Sequence, residues 1–255
     1  MTRWPKILPP LSPEQQRIND EFMKLWLERL PRRYGHAERF NHGYVVRNAP
    51  PGFRRTLEVG AGIGGHLAYE TLTAEQAGEY VALELRKNVA AQLHLRAPWV
   101  RVVVGDCQRR LEFPDGHFDR ILAIHVLEHL PDLPSAVREM HRLCDKTRGA
   151  LSVVIPCEGG LAYALARRLS AQRLYEARYG IPYKNFIERE HLSVPSEILE
   201  ELDPWFETVH RSFFPIPLPF VFCNLFMGMT LRPRPAPTGS GEAAGVRGVA
   251  PGGAP

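Results

Sequence analysis

Chemistry in this chain is concentrated in four short stretches. The first, Glu58-Val59-Gly60-Ala61-Gly62-Ile63-Gly64-Gly65-His66, sets an acidic residue ahead of glycines at a G-x-G-x-x-G spacing (Gly60, Gly62, Gly65). Such glycines let a backbone turn sharply and approach a ligand closely, with the N-terminus of a following helix behind it. The plainer reading is an ordinary tight turn between a strand and a helix. The second stretch is Glu84, 24 residues after Gly60. A carboxylate there can accept hydrogen bonds from both ribose hydroxyls of a nucleoside, or simply open the next helix in solvent beside Arg86 and Lys87. The third, Gly105-Asp106-Cys107, offers a carboxylate to an exocyclic adenine amine and a backbone edge to the ring. Asp106 can equally cap a helix. The fourth is His125-Val126-Leu127-Glu128-His129-Leu130. Its His-x-x-Glu-His spacing is that of a zinc-protease pattern, which needs both histidines on one helix face. Pro131 follows closely and works against that helix, so no metal is expected.

The elements that must hold these stretches are strands. After the turn Pro50-Pro51-Gly52, residues 54–59, 79–83, 100–104, 118–124 and 150–155 are rich in Val, Ile and Leu with little alternation, as strands buried on both faces are. Between the last two, Leu133, Val137, Met140 and Leu143/Cys144 share one helix face. Strand–helix alternation predicts an α/β, doubly wound parallel sheet, and ligands of such sheets sit at the carboxyl ends of the strands. Each of the four stretches falls at such an end. Upstream, Ser12, Pro13 and Gln15 form a helix start with a capping box. Ile18, Phe22, Leu25, Trp26 and Leu30 then recur at helical spacing, and Pro31 ends the run. This N-terminal segment, with Trp26, Tyr34, Phe40 and Tyr44, can close the other side of the site, but its apolar face is more simply expected to pack on the sheet.

With the four strand ends in this order, the sequence resembles the class I S-adenosylmethionine-dependent methyltransferases. It is closest to the broad small-molecule group (type 11-like) with an H-x-L-x-H-L stretch after the fourth strand. TLEVGAGIGGHL, EYVALEL, VVVGDC and FDRILAIHVLEHL carry the resemblance, over about residues 53–156. It implies a seven-stranded Rossmann-like sheet whose final strands, about 205–214 and 221–231, are antiparallel, and S-adenosylmethionine as cofactor. By the same resemblance, Glu58 reaches the methionine ammonium through water, and Gly60, Ala61, Gly62 and Gly64 border methionine and ribose. Glu84, with Leu85 beside it, binds the ribose hydroxyls, Asp106 and Cys107 frame the adenine, and His125 lies beside the methionine end. A dinucleotide reading, as in an NAD-dependent oxidoreductase, explains the glycines and Glu84 equally well, but it needs neither Glu58, Gly105-Asp106 nor the histidine stretch.

In resembling O-methyltransferases a histidine at the place of His129 faces the acceptor. His129 is therefore the first choice of catalytic base for a hydroxyl nucleophile, with an ordinary pKa of about 6.5; a structural histidine in the loop is the plainer alternative. Glu128, Glu158 and His191 are weaker candidates. The implied reaction is methyl transfer to O or N of a small-molecule acceptor, a sugar or glycan precursor or a secondary metabolite. Methylation of RNA or protein is the rival, against which stands the absence of an N-P-P-[FY] tetrapeptide after the fourth strand.

The 255 residues are 44% apolar and 24% charged, ordinary values for a globular chain with a core. A net charge of +4 permits an anionic partner without requiring nucleic acid. No run approaches the roughly 18 apolar residues of a membrane span, so no stable membrane insertion is expected. The N-terminus lacks an apolar signal segment. Cys107, Cys144, Cys157 and Cys223 form no C-x-x-C pair and read as free thiols of a reducing, cytoplasmic compartment.

Three segments are expected: a helical segment over 1–52 whose first 11 residues are loosely held, a methyltransferase domain over 53–231, and a disordered Pro/Gly/Ala-rich tail over 232–255. Asn41-His42 in the first segment can touch cofactor or acceptor. Residues 157–195 are long for a connection and are expected to form a lid. Leu161, Leu165 and Leu169 give it a helix, with arginines on the opposite side among Arg167, Arg168, Arg173, Tyr175, Arg178, Tyr179, Tyr183 and Lys184. This reads either as a basic, aromatic cover for an anionic or glycosylated acceptor or as a solvated amphipathic helix. The apolar stretch from Pro215 to Met229 is most simply a last strand in the sheet core. Its sharper reading is a patch for a homodimer mate, a lipid-linked acceptor or a membrane surface.

Overall fold

Seven strands form one sheet in the computed structural model, which describes residues 3–33 and 35–236, with side chains throughout except at 26–33. They are β1 (Thr56–Val59), β2 (Tyr80–Glu84), β3 (Arg101–Val104), β4 (Arg120–Ile124), β5 (Ala150–Pro156), β6 (Phe206–Phe214) and β7 (Phe226–Pro233). Their order is β3-β2-β1-β4-β5-β7-β6. The first five are mutually parallel, and β7 runs antiparallel between β5 and β6. The helices are α1 (Pro13–Arg33), α2 (Gly35–Arg47), α3 (Ala74–Gly78), α4 (Lys87–Arg96), α5 (Leu133–Leu143), α6 (Leu161–Arg167), α7 (Arg173–Tyr179), α8 (Lys184–Glu190) and α9 (Pro195–Leu202).

Because side chains alternate along a strand, the register separates the two faces. Ile121, Ala123, Val153 and Ile155 meet Leu133, Val137 and Met140 of α5 and Ile198 and Leu202 of α9. Leu122 and Val154 meet Tyr44 and Val45 of α2, while Tyr80 and Ala82 meet Leu93 of α4. Glu58 is in register with Ala82 and Leu122, so it points to the α2/α4 face. β3 departs from the expected burial on both faces: it is the sheet edge and only partly covered.

The helix expected behind the glycine bend after β1 is short and comes late. A single tight turn, Gly65–Tyr69, leads to the five-residue α3, capped reciprocally by Thr73 and Gln76. The bend therefore has no extended helix dipole behind it.

The N-terminal expectations are corrected in two ways. The Ser12/Gln15 capping box forms, and α1 runs two residues past Pro31, within the usual spread of helix ends. Its Ile18 and Phe22, however, pack not on the sheet but on Ala171, Tyr175, Tyr183, Phe186 and Ile187 of the 157–195 insertion. The Phe22 ring meets Tyr175 and Phe186 edge-on at 5.0 and 5.1 Å, so α1 and the insertion share a second, aromatic core. The side chains of Trp26 and Leu30 lie outside those described, as does Tyr34. Residues 3–6 are tied down rather than loose: the Trp4 indole donates to Glu201, and the Lys6 ammonium binds Glu197 and the Leu192 carbonyl. The acidic face of α9 supplies the partners. The disordered tail expected from 232 does not begin there: Arg232 and Pro233 pair with Glu207 and Phe206 as the end of β7, and the Arg234 N–H donates to the Trp205 carbonyl; residues from 237 on lie outside those described.

The stretch from Pro215 to Leu225 is not part of the last strand, which begins only at Phe226. It forms a loop whose turns are held by the buried Asn224 amide, bonded to Ile216, Leu218 and Phe220 backbone groups. Ile216, Leu218, Phe220 and Phe222 are exposed.

Gly228 on β7 is the tightest contact between sheet and α2. A Cβ there would lie 2.5 Å from Tyr44 Cγ. That ring is buried, and its hydroxyl contacts Thr230 and His210, so it has nowhere to move. Gly228→Ala is expected to lower stability by about 1–3 kcal/mol, read from the urea midpoint. An unchanged midpoint would show that the ring repacks.

Candidate active site at the carboxyl strand ends

Sharp backbone turns bring the predicted residues together along one sheet edge. Gly60, Gly62 and Gly64 all take left-handed conformations, with φ of 67°, 56° and 81°. A Cβ at Gly60 would meet Val126 Cγ2 at 2.6 Å. Ala61 is buried in the same bend. Glu84, at the end of the neighbouring strand, faces this bend. Its Oε2 accepts the Gly62 N–H at 3.0 Å, and its Oε1 accepts the Arg86 N–H and Nε–H at 3.0 and 3.2 Å. A carboxylate has about four acceptor sites, so capacity for hydroxyl donors remains. Leu85 beside it is exposed. Asp106 uses Oδ1 to hold the Gln108 backbone N–H and side-chain amide, both at 2.9 Å. Its neighbour Cys107 is buried, and burial followed by the Asp106 charge pushes its thiol up to about 12, which keeps it protonated and inert. All four cysteines are free.

Glu58 lies beneath the bend and accepts a 2.8 Å hydrogen bond from the Tyr80 hydroxyl. Burial, reinforced by Glu70 and opposed by that hydrogen bond and Arg120, pushes its carboxyl up to about 8. A group whose folded pKa lies above its ordinary value of 4.5 contributes stability at low pH, and loses it as pH rises through the folded value. The free protein is thus expected to lose Tm between pH 6 and pH 9, and Glu58→Gln to flatten that slope. A wild-type Tm that rises over this range would reverse the sign.

A buried network that the sequence analysis did not find supports the same region. The Glu70 carboxylate accepts from Arg120 Nη2 and the His66 ring, each at 2.6 Å. Burial opposes ionisation of Glu70, but these two donors overcome it and hold its pKa below the ordinary value. His42 stacks on His66 and Tyr69 at 5.4 and 4.7 Å, which places Asn41-His42 against the turn after the glycine bend. The one signal in the sequence is an arginine inside an otherwise apolar strand.

A second constellation stands after β4. His125 has a φ of 53°, the only positive value outside glycine among the described residues. Its Nδ1–H donates to Glu128 Oε1 at 3.1 Å. Strained backbone of this kind clusters at functional sites. The Glu128 carbonyl accepts the N–H groups of Leu192 at 2.7 Å and Ser193 at 3.1 Å, and this cross-link brings His191 beside His129, their rings 5.1 Å apart. His129 Nδ1 lies 2.5 Å from the Glu190 carbonyl oxygen. A carbonyl only accepts, so Nδ1 carries the proton. The neutral ring then presents a bare Nε2, 3.9 Å from Glu128 Oε1. His191 Nδ1 is 2.5 Å from Glu158 Oε2, and Arg167 binds the other Glu158 oxygen at 2.8 Å.

Burial lowers the pKa of His129. Burial would raise Glu128, but the His125 hydrogen bond and the neighbouring histidines overcome it and bring its carboxyl to about 2. Glu128, Glu158 and His191, the weaker candidates, thus join His129 in one cluster. The leucines and arginines expected on opposite sides of the helix after β5 do not separate into a buried and a solvated face: Arg168 and Arg173 are exposed too. Leu161, Leu165 and Leu169 are exposed, while Arg167 is half-buried and paired with Glu158. Arg168 and Arg173 line a recess of about 730 Å³ on the insertion.

Residues 57–152 match the family described as a methyltransferase domain. Over 113 residues, 40% of this chain, the sequence is 33% identical to ajmaline N-methyltransferase of Rauvolfia serpentina, of which it covers 35%. The chain spans about a third of the length of the curated relatives it matches. An S-adenosylmethionine-dependent methyltransferase of Thermotoga maritima superposes with a TM-score of 0.58 and 20% identity, covering 85% of this chain and 98% of that one. The 1,6-didemethyltoxoflavin-N1-methyltransferase of Burkholderia thailandensis, bound to 1,6-didemethyltoxoflavin and S-adenosylhomocysteine, superposes at 0.53 with 18% identity, covering 89% and 93%. Strand order and structural likeness define a Rossmann-like methyltransferase fold. Residues 57–152 thus carry the match to a methyltransferase domain, inside a fold shared with an S-adenosylmethionine-dependent methyltransferase and with an S-adenosylhomocysteine-bound one. No helix among the described residues is long and apolar enough to cross a membrane.

Proposed function

We propose that the chain transfers the methyl group of S-adenosylmethionine to an oxygen or nitrogen of a small molecule, with a sugar or glycan precursor or a secondary metabolite as acceptor class. One observation carries this reading: the glycine bend, Glu84, Asp106 and the His125–His129 turn stand at the carboxyl ends of four adjacent parallel strands. Glu84 and Leu85 then border the ribose, Asp106 and Cys107 the adenine. Glu58, Gly60, Ala61, Gly62, Gly64 and His125 border the methionine arm. Two of the similar proteins described above, those of Rauvolfia serpentina and Burkholderia thailandensis, are named for small-molecule acceptors, which favours this class over RNA or protein.

The sulfonium methyl is already a good electrophile. The protein has to align a nucleophile with the methyl–sulfur bond and exclude water, a task worth about 7–11 kcal/mol. Where the nucleophile is a hydroxyl, its proton needs an acceptor, and the bare Nε2 of His129 is the group assigned that role in this reading. Calorimetry tests the reading: S-adenosylmethionine is expected to bind at micromolar levels and NAD not at all. NAD binding without sulfonium binding overturns it. A methyl-transfer screen over sugars, nucleotides and phenolics, with RNA and protein as further arms, then identifies the acceptor.

A further inference from the structure

The cluster after β4 has more ordering than a base alone requires. One ligand atom from each of Glu128, His129 and His191 lies within 4.8 Å of the other two. Both rings are oriented by their Nδ1 atoms, His129 on the Glu190 carbonyl and His191 on the Glu158 carboxylate. That arrangement, with a carbonyl or carboxylate behind each imidazole, fixes the tautomer and leaves Nε2 for a metal. Glu128 is 1% exposed, and its Oε2 has no hydrogen-bond partner. A buried carboxylate with an unpartnered oxygen is costly, and a cation held by this carboxylate, whose Oε1 stands 3.9 Å from His129 Nε2, offsets that cost.

We infer that Glu128, His129 and His191 bind a divalent transition metal ion. Two imidazoles and one carboxylate select zinc, cobalt, iron or manganese over calcium or magnesium. Bonds of about 2.0–2.2 Å require the three side chains to close by about 1 Å around the ion. The two histidines of the His-x-x-Glu-His stretch are not both used: His125 is spent on orienting Glu128, and the third ligand, His191, comes from the 157–195 segment. Three protein ligands leave an open position.

Resting on the methyl-transfer reading, that position takes a hydroxyl of the acceptor and lowers its pKa. The oxygen then attacks the methyl carbon, the O–C bond forms as the C–S bond breaks, and sulfur keeps the electron pair as S-adenosylhomocysteine. The hydroxyl proton leaves to solvent. His129 in this role is a ligand, and direct proton acceptance by its Nε2 is replaced.

The test uses the full chain without a histidine tag, stripped by a chelator and titrated with Zn²⁺ and with Co²⁺. One equivalent is expected to bind, with a Co²⁺ absorption spectrum of nitrogen and oxygen ligands and a rise in Tm. His191→Ala is expected to weaken binding by more than about 100-fold, and Glu158→Gln, behind His191, by about 10–100-fold. S-adenosylmethionine affinity, measured in parallel, is expected to be unchanged in both variants. The absence of stoichiometric binding to the wild-type chain, or binding that His191→Ala leaves intact, overturns the inference. Failure of S-adenosylmethionine binding by the wild-type chain overturns the methyl-transfer reading instead and leaves the metal titration to be read by itself.

Discussion

Replacing His129 with alanine is expected to lower kcat by about 10²–10⁴-fold while leaving S-adenosylmethionine affinity unchanged. The loss corresponds to about 3–5 kcal/mol of transition-state stabilisation. It follows from the position of the ring. Nδ1 is committed to the Glu190 carbonyl, so the only nitrogen with a lone pair is Nε2, beside Glu128. Whether that lone pair takes a proton or holds a metal, the acceptor loses its activating group. The side chain is about a third exposed, so truncation leaves the core intact. The cofactor residues of β1, β2 and β3 are untouched, so calorimetric affinity should survive. Initial rates with an acceptor found by screening, alongside calorimetry, check both halves. Full retained activity would remove His129 from the chemistry, and a parallel loss of cofactor affinity would make its role structural.

Glu84→Ala carries the second large effect, a fall in S-adenosylmethionine affinity of about one to two orders of magnitude. Hydrogen bonds to a charged acceptor contribute about 1.5–3 kcal/mol each, and every 1.4 kcal/mol is tenfold in affinity. The substitution removes the acceptor proposed for the ribose. It also releases the Gly62 N–H and Arg86 that the carboxylate now holds, so the bend loses its anchor as well. Affinity by calorimetry, with the urea midpoint as control, measures it. Unaltered affinity would place the nucleoside elsewhere and remove the geometric basis of the proposed function.

Much of this site was legible because its parts are local. A left-handed turn needs glycine, so Gly60, Gly62 and Gly64 announce the bend. A buried parallel strand needs an uninterrupted apolar run, so β1, β2, β4 and β5 and their carboxyl ends could be marked to within two residues. Resemblance to a known family then supplied the roles. The edge exposure of β3 and the outward leucines of α6 were not legible, because burial depends on what a neighbour covers, and periodicity says only that a face exists. The same limit explains α1. Its stripe was visible, but the choice between the sheet and the aromatic residues of the insertion rests on contacts more than 140 residues away in sequence.

The sequence by itself determined the sheet class, the glycine bend and the carboxylates that follow successive strands, since each is dictated by backbone sterics or hydrophobic burial over a few residues. Only the tertiary structure decided that Glu128, His129, His191 and Glu158 are one cluster, and that Glu70 lies between His66 and Arg120. The physical reason is that these meetings are set by long-range closure. Two amides at 192 and 193 fold back onto the carbonyl of Glu128, and nothing in the spacing of the residues records where that chain returns.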